Sequence, residues 1–271
     1  MTTSTEPTSP RWNRTRIRDT TLAWTEFGSG PVTVWAHPLA SSGLGPETVG
    51  PFDWEPVAAA GHRLIRYDAR GHGRSGGAQD PADFSFENLG RDLLALIDVL
   101  SPAAPVSGIG MSLGTATLLH AAAVAPDRFD RLVLTAPPTA WETRAPQGRA
   151  YDSMAELVED RGLAALEPLM REAPVPVPHR GAKGMPLSLE ADARLLPSIL
   201  RGVGASDLPP REVVGGLRLP VLILPWADDP THPVSTAEEL ARLIPGSRME
   251  TAESPDDLSS WGARAAEFLA G

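Results

Sequence analysis

The chain has 271 residues, which is long enough for one α/β domain with an insertion or for two small domains. Its contents of 42% hydrophobic and 21% charged residues are ordinary for a soluble globular protein. Its net charge of −10 argues against nucleic acid and anionic membranes as partners, because both bind basic surfaces. The lack of cysteine excludes disulfides, thiolate metal sites and a cysteine nucleophile.

The first residues, MTTSTEPTSP, lack the charged start and apolar core of a signal peptide. No run of about eighteen apolar residues, the length that a membrane-spanning helix needs, is present in the sequence. We therefore expect a disordered leader over residues 1–13 and a cytoplasmic protein without a membrane partner.

The first part of the chain predicts strands separated by loops. Residues 16–27 alternate loosely before a Gly-Ser-Gly-Pro turn, which indicates one or two edge strands. Residues 32–36 are typical of a strand covered on both faces, and the sequence His-Pro-Leu-Ala follows them. Residues 64–67 predict another strand that leads into the glycine-rich loop DARGHGRS, and Ser85 is suited to cap the helix that comes next.

A Gly-Met-Ser-Leu-Gly sequence at residues 110–114 joins a predicted strand, 106–109, to a predicted helix, 115–124. A strand that turns into a helix within one residue strains the backbone at the central position, and the two glycines leave room for that turn. We interpret Ser112 as a nucleophile whose hydroxyl projects at the tip of this turn. The alternative is an ordinary serine at the N-cap of a helix.

The alternation of strands and helices continues with a strand at 132–134, and it predicts a mostly parallel, open α/β sheet with helices on both faces. It stops between residues 139 and 219, where 151–170 and 187–203 have helical patterns. We interpret 139–219 as a helical cap and assign residues 14–138 and 220–271 to the core. A separate second domain is less favoured, because about eighty residues would need a core of their own.

The last part of the chain returns to the sheet. Residues 221–224 predict a strand, and Ser235 with Glu238 resembles a capping box for a helix over 236–244. A short strand is expected near 248–251. Ser254 is then suited to cap a terminal helix that ends at Leu269.

The whole chain after the leader resembles the α/β-hydrolase family. The resemblance rests on four sequences in the family's order: HPLA after an early strand, DARGHGRS, GMSLG, and DDPTHP after a late strand. It implies that Ser112 is the nucleophile and that the backbone N–H groups of Leu39 and Leu113 form the oxyanion hole. It also implies that Asp229 is the acid of the triad, although an aspartate before proline could serve only a turn.

The catalytic histidine expected from this resemblance is missing, because no histidine follows His232 and the usual loop contains Glu253 instead. His232 is the strongest substitute, since it follows Asp229 at the edge of the sheet where ligands bind; either Asp229 or Glu253 could orient its ring. The alternative is a histidine that merely precedes a helix. His37 borders the oxyanion loop, where it would bond the backbone or line the substrate site.

The other histidines are assigned lesser roles. His179 lies in the predicted cap and could face the pocket, whereas His72 and His120 are expected to be structural or on the surface. His62 precedes a strand at a predicted surface turn.

These features predict a serine hydrolase that acts on a small ester or lactone without a cofactor or metal ion. Trp141 at the entry to the cap suggests a mostly apolar substrate, although it could equally belong to the core. The missing histidine leaves a second hypothesis open, a related protein that binds a ligand or catalyses a lyase or cyclase reaction. The sequence gives no indication of the oligomeric state.

Overall fold

A single twisted sheet runs through the computed structural model, which describes residues 10–180 and 189–271. Over these residues the sheet has eight strands in the order β1-β2-β4-β3-β5-β6-β7-β8. The strands are β1 (Asn13–Ile17), β2 (Thr20–Phe27), β3 (Val32–Ala36), β4 (Arg63–Tyr67), β5 (Val106–Met111), β6 (Phe129–Thr135), β7 (Val221–Leu224) and β8 (Arg248–Met249). Only the pairs formed by β2, with β1 and with β4, are antiparallel, so the predicted mostly parallel α/β sheet is confirmed.

Helices cover both faces of this sheet. The α-helices of the described chain are α1 (Gly45–Val49), α2 (Glu55–Ala59), α3 (Phe86–Leu100), α4 (Leu113–Val124), α5 (Arg144–Arg161), α6 (Glu167–Glu172), α7 (Leu196–Gly204), α8 (Arg211–Val214), α9 (Val234–Leu243), α10 (Pro255–Ser259) and α11 (Trp261–Ala270). Short 3₁₀ turns lie at Pro81–Phe84, Pro126–Arg128, Trp141–Thr143, Leu163–Leu166 and Val177–His179. None of the helices in the two described stretches is long and apolar enough to cross a bilayer.

Alternation along the central strands divides the core into two layers. In β3, Val34 and Ala36 belong to a cluster that also includes residues of α3, α4 and α9, whereas Trp35 points into a cluster with residues of α2, α10 and α11. All five residues of β3 are buried, as the sequence predicts for a strand covered on both faces.

The order of the strands fixes where a site can form. The chain passes from β3 to β4 on one side of β3, whereas β5 lies on the other side. The crossovers therefore diverge at the carboxyl ends of β3 and β5, and in open parallel sheets this divergence leaves a crevice for ligands. The oxyanion loop follows β3 and the GMSLG turn ends β5, so both candidate sequences lie at this crevice.

Between β6 and β7 the described chain adds no strand to the sheet and contains α5 to α8. Five buried residues form what we call the cap cluster: Ala155, Val158, Leu166, Leu196 and Leu200. The predicted helix over 151–170 was wrong in its limits, because α5 begins at Arg144 and ends at Arg161, where the C-cap Gly162 has a φ of 80°. The predicted helix over 187–203 begins only at Leu196, and its residues 187–188 lie outside the described part of the chain.

Three helix starts show which capping predictions were correct. Ser85 accepts a hydrogen bond from the N–H of Asn88, and Ser254 forms a reciprocal capping box with Asp257, as predicted. The predicted box at Ser235 and Glu238 was wrong: α9 begins at Val234, because Pro233 already has the extended backbone of an N-cap. The terminal helix is divided at Ser260 into α10 and α11. Residues 1–9 of the predicted leader lie outside the described part of the chain. The last predicted leader residue, Asn13, is the first residue of β1.

Candidate active site

Ser112 lies on a strained turn between β5 and α4. Its φ of 52° and ψ of −109° are unusual for a residue with a side chain, and its hydroxyl makes no capping hydrogen bond to α4. The alternative of an ordinary N-cap serine therefore does not describe this residue. Strain of this kind persists only where the surrounding structure enforces it, and it clusters at functional sites.

Close contacts on both sides of Ser112 enforce the turn. A Cβ atom added at Gly110 would lie 2.5 Å from the carbonyl oxygen of Gly114, and one added at Gly114 would lie 1.9 Å from that of Ala36. The Thr115 hydroxyl, buried beneath the turn, lies 2.8 Å from the carbonyl oxygens of both Gly110 and Thr135. Both glycines are therefore required for the close approach of β3, β5 and α4.

The structure joins the Ser112 hydroxyl to the ring of His232 and the ring to Asp229. His232 Nε2 lies 2.8 Å from Ser112 Oγ, and His232 Nδ1 lies 2.7 Å from Asp229 Oδ2. The side chains of His232 and Asp229 are 15% and 12% exposed, so both are shielded but still reachable from solvent. With Nδ1–H donating to the carboxylate, Nε2 is free to accept the serine proton.

Three donors fix the carboxylate of Asp229. Trp226 Nε1–H donates to Oδ2 at 2.8 Å, the N–H of Thr231 donates to Oδ1 at 2.8 Å, and His232 supplies the third bond. Burial acts to raise the pKa of Asp229, but these hydrogen bonds and the nearby imidazole outweigh burial and hold the pKa well below its ordinary value. Asp229 is therefore ionised at neutral pH and can stabilise a protonated His232.

Asp229, rather than Glu253, orients the ring of His232. Glu253 has an exposed side chain, and its backbone N–H donates to Asp257, which belongs to the start of α10. Within the described residues no hydrogen bond connects Glu253 to His232 or to Ser112.

The loop after β3 is held by two buried histidines. His37 donates from Nδ1 to the carbonyl of Pro38 and accepts at Nε2 from the N–H of Ala69. His72 donates from Nδ1 to the carbonyl of Arg70 and accepts at Nε2 from the N–H of Ala40, which has a φ of 57°. Burial lowers the pKa of His37 to about 4 and that of His72 to about 3, so both rings are neutral. No polar atom of His37 is left to bind a substrate, contrary to one of its predicted roles.

The two candidate oxyanion donors lie on the loops that these contacts fix. Leu39 lies between the bonded residues Pro38 and Ala40, and among the described residues its N–H has no acceptor. Leu113 is the first residue of α4, so its N–H has no acceptor within the helix. The arrangement can supply two N–H donors next to Ser112.

The other predicted residues lie outside this hydrogen-bonded group. Trp141 donates its indole N–H to the carbonyl of Pro209 at 3.3 Å and stacks beneath Arg211, which anchors it to the loop before α8. His62 is buried and bonds Thr33, so its predicted position at a surface turn was wrong. His179 lies edge-on to Trp226 with ring centroids 4.6 Å apart, and neither ring nitrogen has a partner in the described structure.

Comparisons with known proteins agree with this fold. A protein-family model described as the alpha/beta hydrolase fold matches residues 45–158. The Agrobacterium fabrum protein named "Putative carbamate hydrolase RutD" is 30% identical over 228 residues, which are 78% of this chain and 82% of that protein. The chain belongs to the α/β-hydrolase family.

Two further similar proteins extend the comparison. The 3-oxoadipate enol-lactonase 2 of Acinetobacter baylyi is 28% identical over 207 residues, 70% of each chain. The crystal structure of a hydrolase from Pseudomonas aeruginosa PA01 superposes with a TM-score of 0.74 at 24% identity and covers 96% of this chain and 98% of that one. This last similarity is evidence of the α/β-hydrolase fold alone.

The contribution of Trp226 to the site was not predicted from the sequence. Trp226 stacks on Trp261 with centroids 5.7 Å apart, and this contact fixes the indole whose N–H holds Asp229. A tryptophan three residues before the acid, at the end of a buried strand, was the available signal.

Proposed function

We propose that this protein is a cofactor-independent serine hydrolase that cleaves a small ester or lactone. The observation that carries the proposal is the 2.8 Å contact between His232 Nε2 and Ser112 Oγ. A serine hydroxyl is a weak nucleophile until a base takes its proton, and His232 occupies the position of such a base. Its relocation onto the loop of the acid compensates for the histidine that the family normally has after the last strand.

In the proposed reaction, Ser112 Oγ attacks the substrate carbonyl carbon while its proton moves to His232 Nε2. The resulting oxyanion accepts hydrogen bonds from the N–H groups of Leu39 and Leu113. The C–O bond to the leaving group then breaks, and His232 returns its proton to the departing oxygen. Water attacks the acyl-enzyme with His232 again as base, which releases the acid and restores Ser112.

Asp229 acts through His232 in this scheme. Its carboxylate selects the tautomer with the proton on Nδ1 and stabilises the imidazolium that forms during each proton transfer. Trp226 and Thr231 hold the carboxylate in place through hydrogen bonds of 2.8 Å. Glu253 has no part in the proposed mechanism.

An apolar substrate is favoured by the residues around the oxyanion loop. Leu39 packs against the cap cluster and also against the core cluster that contains Val34 and Ala36. Tyr151 of α5 contacts the same two clusters. We therefore propose that α5 to α7 act as a cap whose apolar side chains contact the acyl or leaving group, with Trp141 at its base. The relatives named as enol-lactonase and carbamate hydrolase support a small carbonyl substrate.

A fluorophosphonate probe together with ester and lactone turnover tests the proposal. We expect covalent labelling of Ser112, hydrolysis of short-chain p-nitrophenyl esters or small lactones, and loss of both in Ser112→Ala. Ser42, a buried serine near the oxyanion loop, provides the matched control: Ser42→Ala should still be labelled. If neither labelling nor turnover occurs in the folded protein, the proposal is wrong.

Isotope incorporation separates hydrolysis from the lyase or cyclase alternative. Hydrolysis in water enriched in ¹⁸O places the label in the product carboxylate, because water attacks the acyl-enzyme. A lyase or cyclase product would contain no label from solvent, and its formation by Ser112→Ala would favour that alternative.

A further inference from the structure

A basic groove lies along the edge strand β1, separate from the loops that carry Ser112 and His232. Two adjoining cavities of about 540 and 360 Å³ share Arg14, Gly76 and Gly77 as lining residues. Arg16 lines the smaller cavity, and Arg74 and Arg194 line the larger one. Cavities of this size accommodate small organic ligands.

Three guanidinium groups in this groove form no salt bridge within the described residues, although Asp68 attracts that of Arg74 from a longer distance. The acids that line it, Asp19 and Asp192, are paired with Arg70 and Arg194 at 2.6 and 2.7 Å. Over the described residues no carboxylate lies within ion-pair distance of Arg14, Arg16 or Arg74. Although the chain has a net charge of −10, these three cations without a salt bridge lie on one concave surface, where they repel each other and attract anions.

The three side chains come from two segments whose geometry is already fixed. Arg14 and Arg16 are two residues apart on β1, so they project from the same face of the strand, and both are exposed. Arg14 donates to the carbonyl of Arg74 at 2.9 Å, and the Arg74 guanidinium lies 4.2 Å above the ring of Trp12. These contacts reduce the entropy that the arginines would lose on binding a ligand.

We propose that this groove is a binding site for a small organic phosphate. Guanidinium groups present planar pairs of N–H donors that match phosphate oxygens. A ligand with two or three negative charges balances three cations, whereas a single carboxylate would leave most of them uncompensated.

Inorganic pyrophosphate is a suitable probe because its charge and size match the site. Isothermal titration of the full chain at low ionic strength should show saturable binding to one site, which weakens as salt is added. Arg14→Gln and Arg74→Gln should each reduce the affinity by about tenfold, the effect of removing one charge-assisted hydrogen bond. Arg248→Gln removes an exposed arginine from β8, the opposite edge strand, and should leave the affinity unchanged.

Two control measurements make the result decisive. Melting temperatures of all three variants should match the parent, because the substituted side chains are exposed. Protein labelled at Ser112 with a fluorophosphonate should bind pyrophosphate as the parent does. The proposal is overturned if no saturable binding occurs at millimolar pyrophosphate, if Arg248→Gln weakens binding as much as Arg14→Gln, if malonate binds as tightly as pyrophosphate, or if labelling at Ser112 abolishes binding.

Discussion

His232 Nδ1 donates a hydrogen bond to Asp229 Oδ2 across 2.7 Å, and the two residues are three positions apart on one loop. In the α/β-hydrolase family, the base and the acid normally follow different strands. In the proposed mechanism, a single loop after β7 supplies both. The short distance to Ser112 shows that the relocated ring can still reach the serine.

The two acids near the site should differ sharply in their effect on catalysis. We expect Asp229→Asn to reduce kcat for ester hydrolysis by about 10⁴-fold, because the amide favours the wrong tautomer of His232. Glu253→Gln, the matched change at the exposed acid, should leave kcat unchanged. Steady-state kinetics of both variants provide the test, and a large loss in Glu253→Gln would contradict the assignment of Asp229.

Trp226 should matter for catalysis through its indole N–H. Trp226→Phe retains an aromatic ring against Trp261 but removes one donor to Asp229, and we expect kcat to fall by about tenfold. Trp24→Phe removes an indole bond to Thr15, on the outer strands of the sheet, and should not affect kcat. Equal kcat values in parent and Trp226→Phe would show that the other two donors suffice.

His72 is expected to act as a positioning residue for the oxyanion loop. His72→Phe removes the acceptor for the N–H of Ala40, so kcat should fall by about tenfold while KM stays constant, because the oxyanion forms only in the transition state. His72→Gln should restore most of kcat, since Oε1 can accept the same bond. His62→Phe is the control for burial alone: it should lower stability without this change in kcat.

The same buried histidines should make the protein sensitive to acid. Folding lowers the pKa of His37 from 6.5 to about 4 and that of His72 from 6.5 to about 3, so between these values the unfolded chain binds more protons. The free energy of unfolding should therefore fall as pH drops below about 6.5, by up to about 1.4 kcal/mol per pH unit for each ring. Above about pH 6.5 both rings are neutral in the folded and the unfolded chain, so they no longer change the free energy of unfolding with pH.

Urea unfolding at several pH values between neutral and pH 5 measures this dependence. In His72→Phe one titrating group is gone, and the slope of unfolding free energy against pH should be smaller by about 1.4 kcal/mol per unit. Parallel slopes for variant and parent would contradict the lowered pKa of His72.

The revised helix starts can be tested by stability. Ser254→Ala removes the side chain that caps α10 and should lower the free energy of unfolding by about 1 kcal/mol. Ser235 lies inside α9 with an exposed side chain, so Ser235→Ala should change it by less than about 0.5 kcal/mol. Urea titrations with unchanged m-values provide the comparison.

Local patterns were enough to predict the sheet and two helix caps. Apart from Thr33, the strand β3 is an apolar run, and Ser85 and Ser254 bond N–H groups only three residues away. The box at Ser235 failed because the backbone of the preceding proline already starts the helix. Within residues 139–219 the helix limits depend on contacts between distant side chains, such as those of the cap cluster, and local periodicity does not encode them.

For the site, the sequence indicated which residues to consider but left their partners open. The predicted parallel sheet placed Ser112 and the loop after β7 at the same carboxyl edge. It did not distinguish Asp229 from Glu253, because that choice depends on how the backbone turns between residues 229 and 232. The burial of His37, His62 and His72 likewise results from tertiary contacts.

The position of the base also affects how the site assembles during folding. Asp229 and His232 can meet as soon as their own loop forms, whereas His232 and Ser112 are separated by 120 residues. Only the contact between His232 and Ser112 closes a long segment of chain. The entropy of loop closure is therefore lost once, whereas it would be lost twice if the acid and the base lay on different loops. Formation of the proposed triad is therefore a single docking event between two locally structured turns.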